Sequence, residues 1–193
     1  MKLLYHFAAR FFANTYVFGP DRPGDCVVVD PGVFDATLLR LIEENGYYAR
    51  SVLLTHSHPS HIHGLPTLLR VYRAEIFAAK GATLEQPFRS IEDGDSLELG
   101  GLTVQVIGVQ GHSRDSVLYK VKNVLFTGDA LSAGRAGEAP NGYSRALLVT
   151  RLKDVLKELP DTTVILPGHG PPSTVRGEWA HNADLRQDLA RNP

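Results

Sequence analysis

The stretch from Thr55 to Gly64 reads THSHPSHIHG and holds four of the eight histidines of the chain, at positions 56, 58, 61 and 63. It follows Ser51 to Leu54, a short apolar segment that predicts a strand, so the cluster lies where functional side chains are commonly held on a rigid scaffold. Histidine is the commonest metal ligand, and two histidines separated by one residue on an extended segment can face one ion. The alternative is that the histidine cluster is a solvated loop or a purification tag. Its position inside the chain, directly after an apolar strand, argues against both.

Three later segments each place one potential ligand beside a glycine at the end of an apolar strand: Gly111-His112, Gly128-Asp129 and Gly168-His169. Glycine before a ligand allows the backbone to approach a site closely. Taken singly, Asp129 is equally well explained as a helix cap and each histidine as a structural residue. The repetition of the pattern favours a metal site.

Composition limits the functional classes. At 193 residues and 43% hydrophobic content, the chain predicts one domain, residues 1–193. Lys and Arg (20) nearly balance Asp and Glu (21), which favours a small-molecule substrate over nucleic acid or an anionic membrane. Neither a signal peptide nor an apolar run of about 20 residues is present, so a soluble cytoplasmic protein is expected. The sequence does not indicate an oligomeric state.

The order of predicted elements is strands, helix, strand, helix, more strands, helix, strand. Hairpins mixed with αβ crossovers favour an α/β (α+β) protein with two sheets and helices outside them, over a doubly wound parallel sheet. The predicted helices are Asp35 to Asn45, Leu65 to Tyr72 and Arg145 to Leu159. The predicted strands are Lys2 to Phe7, Thr15 to Phe18, Cys26 to Asp30, Ser51 to Leu54, Ala74 to Ala78, Ser96 to Leu99, Thr103 to Val109, Ser116 to Val121, Val124 to Thr127 and Thr163 to Leu166.

The histidine cluster resembles the H-x-H-x-D-H signature of the metallo-β-lactamase superfamily. The likeness extends over nearly the whole chain, with Asp30-Pro31-Gly32, the segment from Leu125 to Asp129 and the segment from Leu166 to Pro172 similar to motifs of the glyoxalase II-like branch. This resemblance implies a four-layer αββα sandwich with a metal site at one edge of the two sheets. It also implies Zn²⁺, one or two ions, with Fe or Mn as alternatives.

The resemblance assigns the ligands by position. It implies that His56, His58 and His112 bind a first metal, that Asp129 bridges, and that His61 and His169 bind a second. The family also uses the motif aspartate at the second metal, and this chain has Ser60 there. A neutral hydroxyl is a poor ligand for a divalent ion, so we hypothesise a complete first site and a weakened second one.

Two nearby residues are candidates to compensate for Ser60. His63 faces the same side as His61 if the segment is extended, where it either ligates the second metal or lines the pocket; plain surface exposure is the remaining alternative. Asp115, three residues after His112, either supplies the missing carboxylate or caps its loop, as aspartates in loops commonly do.

The chemistry implied by the resemblance is hydrolysis by a metal-activated water with a pKa near 7. Asp129 and Ser60 are the expected catalytic residues beside the metal, and a small thioester such as S-lactoylglutathione is the expected substrate. Only about 24 residues follow His169, so a full glutathione-binding extension is not expected. The alternatives are a mononuclear iron oxidoreductase similar to persulfide dioxygenases, and a non-catalytic metal-binding protein that retains the fold.

Overall fold

The computed structural model describes residues 1–186, so the last part of the domain predicted for 1–193 lies outside the described residues. Two six-stranded sheets form its centre. The first sheet has the spatial order β1 to β6, with strands Lys2–Ala8, Ala13–Gly19, Gly24–Val29, Tyr47–Leu53, Glu75–Ala79 and Arg89–Ile91. Strands β1 to β3 are antiparallel neighbours, whereas β3 to β6 run parallel.

The second sheet has the order β14-β13-β10-β9-β8-β7. Its strands in chain order are β7 Ser96–Leu99, β8 Leu102–Gly108, β9 Val117–Val121, β10 Val124–Gly128, β13 Val164–Pro167 and β14 Ser173–Thr174. A small hairpin of β11 (Leu131–Ser132) and β12 (Arg135–Ala136) stands apart from both sheets. Only β10 and β13 are parallel neighbours in this sheet, so their carboxyl ends meet at one edge.

Six helices accompany the sheets in the described part of the chain: α1 Ala36–Glu43, α2 Pro59–Ile62, α3 Leu65–Val71, α4 Gly142–Lys157, α5 Val175–His181 and α6 Ala183–Arg186. Helix α1 begins where the Asp35 carboxylate accepts hydrogen bonds from the backbone N–H groups of Thr37 and Leu38. Its residues Leu38 and Ile42 then face the first sheet at helical spacing.

Three hydrophobic clusters establish the layers. One fills the space between the two sheets, with Phe18 and Phe126 stacked at its centre. A second joins the outer face of the first sheet to α1 and α3, and a third joins the outer face of the second sheet to α4 and α5. The predicted four-layer αββα sandwich is therefore confirmed. No helix among residues 1–186 is long and apolar enough to cross a membrane.

The predicted helices and strands are present with shifted ends, and the sequence reading missed several short elements. Strands β6, β11, β12 and β14 and helix α6 are too short to show a period. Helix α5 was missed as well. Helix α2 was also missed, because Pro59 and the histidines around it look like loop sequence. That omission affects the metal centre directly.

Candidate metal centre

The candidate ligands come from the ends of strands in both sheets. His56 and His58 follow β4, His112 follows β8, Asp129 follows β10 directly, and His169 lies just beyond β13. A backbone hydrogen bond of 2.9 Å from Val117 N–H to the Thr55 carbonyl joins the two sheets here. The structure thus brings together five histidines and one aspartate that span 114 positions of the chain, from 56 to 169 inclusive.

A first donor group consists of His56, His58, His112 and Asp129, whose ligand atoms all lie within 4.8 Å of one another. His58 Nδ1 is 2.9 Å from His56 Nε2 and 3.2 Å from His112 Nε2. Asp129 Oδ2 is 3.8 Å from His56 Nε2 and 4.0 Å from His112 Nε2. In a tetrahedral zinc site with bonds of about 2.0–2.1 Å, donor atoms stand about 3.3 Å apart, so this group fits one ion.

A second donor group consists of His61, Asp129 and His169. Asp129 Oδ1 lies 2.7 Å from His169 Nδ1 and 3.3 Å from His61 Nε2. Yet His61 Nε2 is buried and makes no hydrogen bond to any of residues 1–186. A buried nitrogen left unpaired beside a carboxylate is costly in a finished structure, and a bound cation would satisfy it. The second group therefore also fits a metal ion.

Asp30 fixes the orientation of ligands in both groups. Its Oδ2 accepts hydrogen bonds from His61 Nδ1 at 3.0 Å and from the Thr55 hydroxyl at 2.6 Å. Because Thr55 donates its only hydroxyl proton to Asp30, it must accept from His56 Nδ1, 3.1 Å away. Both histidines are thereby held as the tautomer with Nε2 facing the centre. Such partners orient metal-ligating histidines in general.

His112 is oriented by a backbone group. Its Nδ1 lies 2.8 Å from the carbonyl oxygen of Glu138, which can only accept, so Nδ1 carries the proton and Nε2 is free to bind a metal. Sequence reasoning quoted Asp30 only as part of a motif and missed Glu138 and the role of Thr55. A buried aspartate at the end of an apolar strand was the available signal for Asp30.

The electrostatics of the cluster separate its histidines. Burial, together with the neighbouring His61, lowers the pKa of His56 to about 2, so this imidazole is neutral and keeps a lone pair for a metal. Burial alone would lower the pKa of His61, but the carboxylates of Asp30 and Asp129 outweigh it and raise that pKa. Burial would raise the pKa of Asp129, but the imidazoles of His169 and His61 hold it well below the usual range. The His61 imidazole lies between the carboxylates of Asp30 and Asp129, and this surrounding negative charge favours a cation.

The glycines beside the ligands are required by close packing. A Cβ at Gly168 would lie 2.4 Å from the His61 ring and 2.6 Å from Asp129 Oδ1. A Cβ at Gly128, where φ is +49°, would lie 2.2 Å from the Thr55 hydroxyl. The prediction that glycine permits close approach at these positions is confirmed.

His63 does not join either donor group. The prediction that it could face the second metal assumed an extended segment, but Pro59–Ile62 forms helix α2, and two helical steps turn His63 away from His61. The exposed ring of His63 instead contacts Phe11 edge-on, with ring centroids 5.3 Å apart. The prediction that His63 supplies a ligand to the second group is therefore wrong.

Asp115 is a loop-capping residue. Its carboxylate accepts hydrogen bonds from the Ser57 backbone N–H and the Ser113 hydroxyl, both at 2.8 Å. It belongs to neither donor group and fastens the loop between His56 and His58. Ser60 lies in α2 directly before His61 and is partly exposed.

A cavity of about 320 Å³ opens beside Asp129 and His169. Its wall includes Ser132 and Arg135 of the β11–β12 hairpin. The buried carboxylate of Glu178 in α5 holds this hairpin by accepting from Gly134 N–H at 3.1 Å. A larger cavity of about 680 Å³ lies between α4 and the strands β7 to β9, and none of the candidate ligands lines it.

The metallo-beta-lactamase superfamily model matches residues 8–169, and the chain belongs to this superfamily. An uncharacterised protein of Mycobacterium tuberculosis is 35% identical over 95% of this chain and 97% of its own length. The hydroxyacylglutathione hydrolase of Yersinia enterocolitica is 35% identical over 82% of this chain, but the match spans only 62% of that enzyme. The crystal structure of ETHE1 from Myxococcus xanthus superposes with a TM-score of 0.85 at 27% identity, covering 95% of this chain and 84% of that one.

Proposed function

We propose that the protein is a metal-dependent hydrolase that cleaves a small thioester or another acyl substrate. The observation that carries the proposal is the convergence of five histidines around one shared carboxylate, Asp129, at the floor of an open cavity. A divalent ion held by these residues would supply Lewis acidity, which polarises a carbonyl and lowers the pKa of a water to about 7. In the reaction, water adds to the acyl carbon and the carbon–sulfur bond breaks, giving a carboxylic acid and a thiol.

The residues of the chain prepare the centre for this reaction. Asp30, Thr55 and the Glu138 carbonyl fix the tautomers of His56, His61 and His112, so their lone pairs are oriented before any ligand arrives. Asp129 contributes the only carboxylate to the two groups formed by the described residues, and we propose that it accepts a hydrogen bond from the reacting water. Ser60, beside His61, is proposed to hydrogen-bond the same water.

The cavity wall supports a substrate with an anionic part. Arg135 is exposed at the mouth of the cavity, and a guanidinium binds carboxylates through paired hydrogen bonds. S-Lactoylglutathione combines a thioester with carboxylates, and the likeness to a hydroxyacylglutathione hydrolase supports this choice. We propose zinc as the ion because the first group is rich in imidazole, with iron or manganese as alternatives.

A thiol-release assay tests the proposal. Protein loaded with Zn²⁺ should hydrolyse S-lactoylglutathione, a chelator should abolish the activity, and zinc should restore it. Cys26 does not interfere with a thiol reagent, because it is buried and burial raises its pKa to about 12. Absence of turnover on a panel of thioesters and esters by fully metallated protein would refute hydrolysis.

A second candidate is an iron-dependent dioxygenase acting on a persulfide. The specific observation in its favour is that the first group contains two histidines and one carboxylate, His56, His112 and Asp129, the ligand set that non-haem iron oxygenases use. The likeness to the ETHE1 structure adds support. Oxygen consumption with glutathione persulfide by the iron-loaded protein, without thioester hydrolysis, would favour this candidate over the first.

A further inference from the structure

The two donor groups differ in the number of their ligands. The first has four donors and the second has three, and Asp129 is counted in both. No other His, Cys, Asp or Glu of residues 1–186 joins either group. Because Oδ2 of Asp129 faces the first group and Oδ1 faces the second, one negative charge has to serve two ions.

The groups also differ in how firmly their members are held. In the first, the Thr55 hydroxyl and the Glu138 carbonyl orient His56 and His112. In the second, Asp30 orients His61, but the ring of His169 has no hydrogen bond within the described part of the chain besides that to Asp129. His58 of the first group is exposed and has no outer partner of this kind among residues 1–186, and the His169 side chain of the second group is 33% exposed. Two of the three histidines of the first group are therefore oriented by an outer partner, against one of the two in the second.

Charge repulsion adds to this difference. Two doubly charged ions repel four times as strongly as two unit charges at the same distance, and each additional carboxylate between them offsets part of that repulsion. The neutral hydroxyl of Ser60, between the His58 of the first group and the His61 of the second, contributes no such charge. The first ion is stabilised by Asp129 without this penalty.

We propose that the metal centre is asymmetric, with one divalent ion retained by His56, His58, His112 and Asp129 and a second held only weakly by His61 and His169. This inference deepens the proposed function, since it concerns the same centre. It concerns metal affinity alone, so failure of thioester hydrolysis would leave it standing, and two equally tight ions would overturn it even in an active hydrolase.

Equilibrium dialysis of the metal-free protein against buffered Zn²⁺, with the bound metal measured by mass spectrometry, tests the proposal. We expect one ion per chain to bind first. The second should bind with a dissociation constant at least about 100-fold larger, since even partners outside the ligand set change metal affinity 10- to 100-fold. Two ions of similar affinity would contradict the asymmetry.

A matched pair of variants tests the role of position 60. Ser60→Asp should tighten the second ion at least about tenfold and leave the first unchanged. Ser57→Asp adds the same charge three residues earlier, in the loop before α2, but the Ser57 hydroxyl accepts a hydrogen bond from Thr83 N–H and the Ser57 backbone N–H bonds to Asp115. The carboxylate introduced by Ser57→Asp should therefore not increase the affinity for the second ion. An equal gain in both variants, or none in Ser60→Asp, would refute the assignment.

Ser60→Cys gives an independent result if the aspartate variant does not fold. A thiolate is a metal ligand in nearly the volume of the serine side chain. Titration with Co²⁺ should produce thiolate-to-cobalt charge-transfer absorption only as the second ion binds. Appearance of that absorption with the first ion, or its absence at two ions per chain, would contradict the placement of Ser60 at the second group.

Discussion

The first and second donor groups share one carboxylate and lie side by side, but their remaining members are supported by different parts of the fold. Two of the three histidines of the first group, His56 and His112, are fixed through the Thr55 hydroxyl and the Glu138 carbonyl. In the second group Asp30 fixes His61, whereas the ring of His169 bonds only to Asp129 among the described residues. The difference shows that a cluster of histidines does not by itself define equivalent metal sites. Donor number and the partners that orient each donor decide the affinity of each site.

The largest effect is expected where both groups depend on one residue. Asp129→Asn removes the only carboxylate that the described residues bring to the two groups, so metal binding at both should weaken by more than about 100-fold, beyond the range caused by outer partners. Metal analysis after dialysis should find less than one ion per chain, with hydrolysis lost in parallel. Retention of a tight ion would show that the carboxylate is dispensable.

Single ligand removals separate the two groups. His56→Ala should abolish the tightly bound ion, while His169→Ala should leave one tight ion and remove only the weak one. Both replace an imidazole by a methyl group, so each is the control for the other. Equal loss of the tight ion in the two variants would contradict the comparison.

Asp30 connects the groups, so its substitution should affect both. Asp30→Asn removes the charged acceptor of His61 and of Thr55, and we expect a loss of about 10- to 100-fold in affinity for each ion. Thr55→Val removes only the hydroxyl that orients His56, so it should weaken binding of the first ion alone, by a smaller factor. Zinc titrations of the two variants distinguish these outcomes. Identical binding curves would contradict the arrangement in which Asp30 orients His61 directly and His56 through Thr55.

Asp35→Ala is the smallest expected effect and lies outside both groups. Loss of the N-cap of α1 should lower the free energy of unfolding by about 1 kcal/mol, with metal stoichiometry unchanged. Partial burial by itself would raise the pKa of the Asp35 carboxyl. The hydrogen bonds from the N–H groups of Leu38 and Thr37, together with the nearby His6, outweigh it and lower that pKa. Its contribution is thus present above the unfolded pKa of about 3.9 and lost as pH falls through the folded pKa. Chemical denaturation at neutral pH and on acidification measures the difference, which should shrink in acid.

Much of the fold was predictable because its strands and helices have clear hydrophobic periods. The alternation of strand and ligand at Gly111-His112, Gly128-Asp129 and Gly168-His169 also indicated which strand ends meet. Helix α2 was not predictable in this way, since four residues carry no period, and the error placed His63 on the wrong side.

The supporting partners of the ligands were less accessible to sequence reasoning. Asp30 lies 31 positions before His61, and the Glu138 carbonyl lies 26 positions after His112, so only the folded chain shows that they touch. A backbone carbonyl leaves no trace in residue type at all. The lack of a carboxylate at Ser60, in contrast, could be seen from the sequence alone. Within residues 1–186 no other carboxylate besides Asp129 joins the second group.

The most direct test of the asymmetric centre is a crystal structure of the protein grown with Zn²⁺, with anomalous diffraction collected at the zinc absorption edge. We expect a fully occupied peak among His56, His58, His112 and Asp129, and a weak peak or none between His61 and His169. Two peaks of equal, full occupancy at moderate zinc concentration would contradict it.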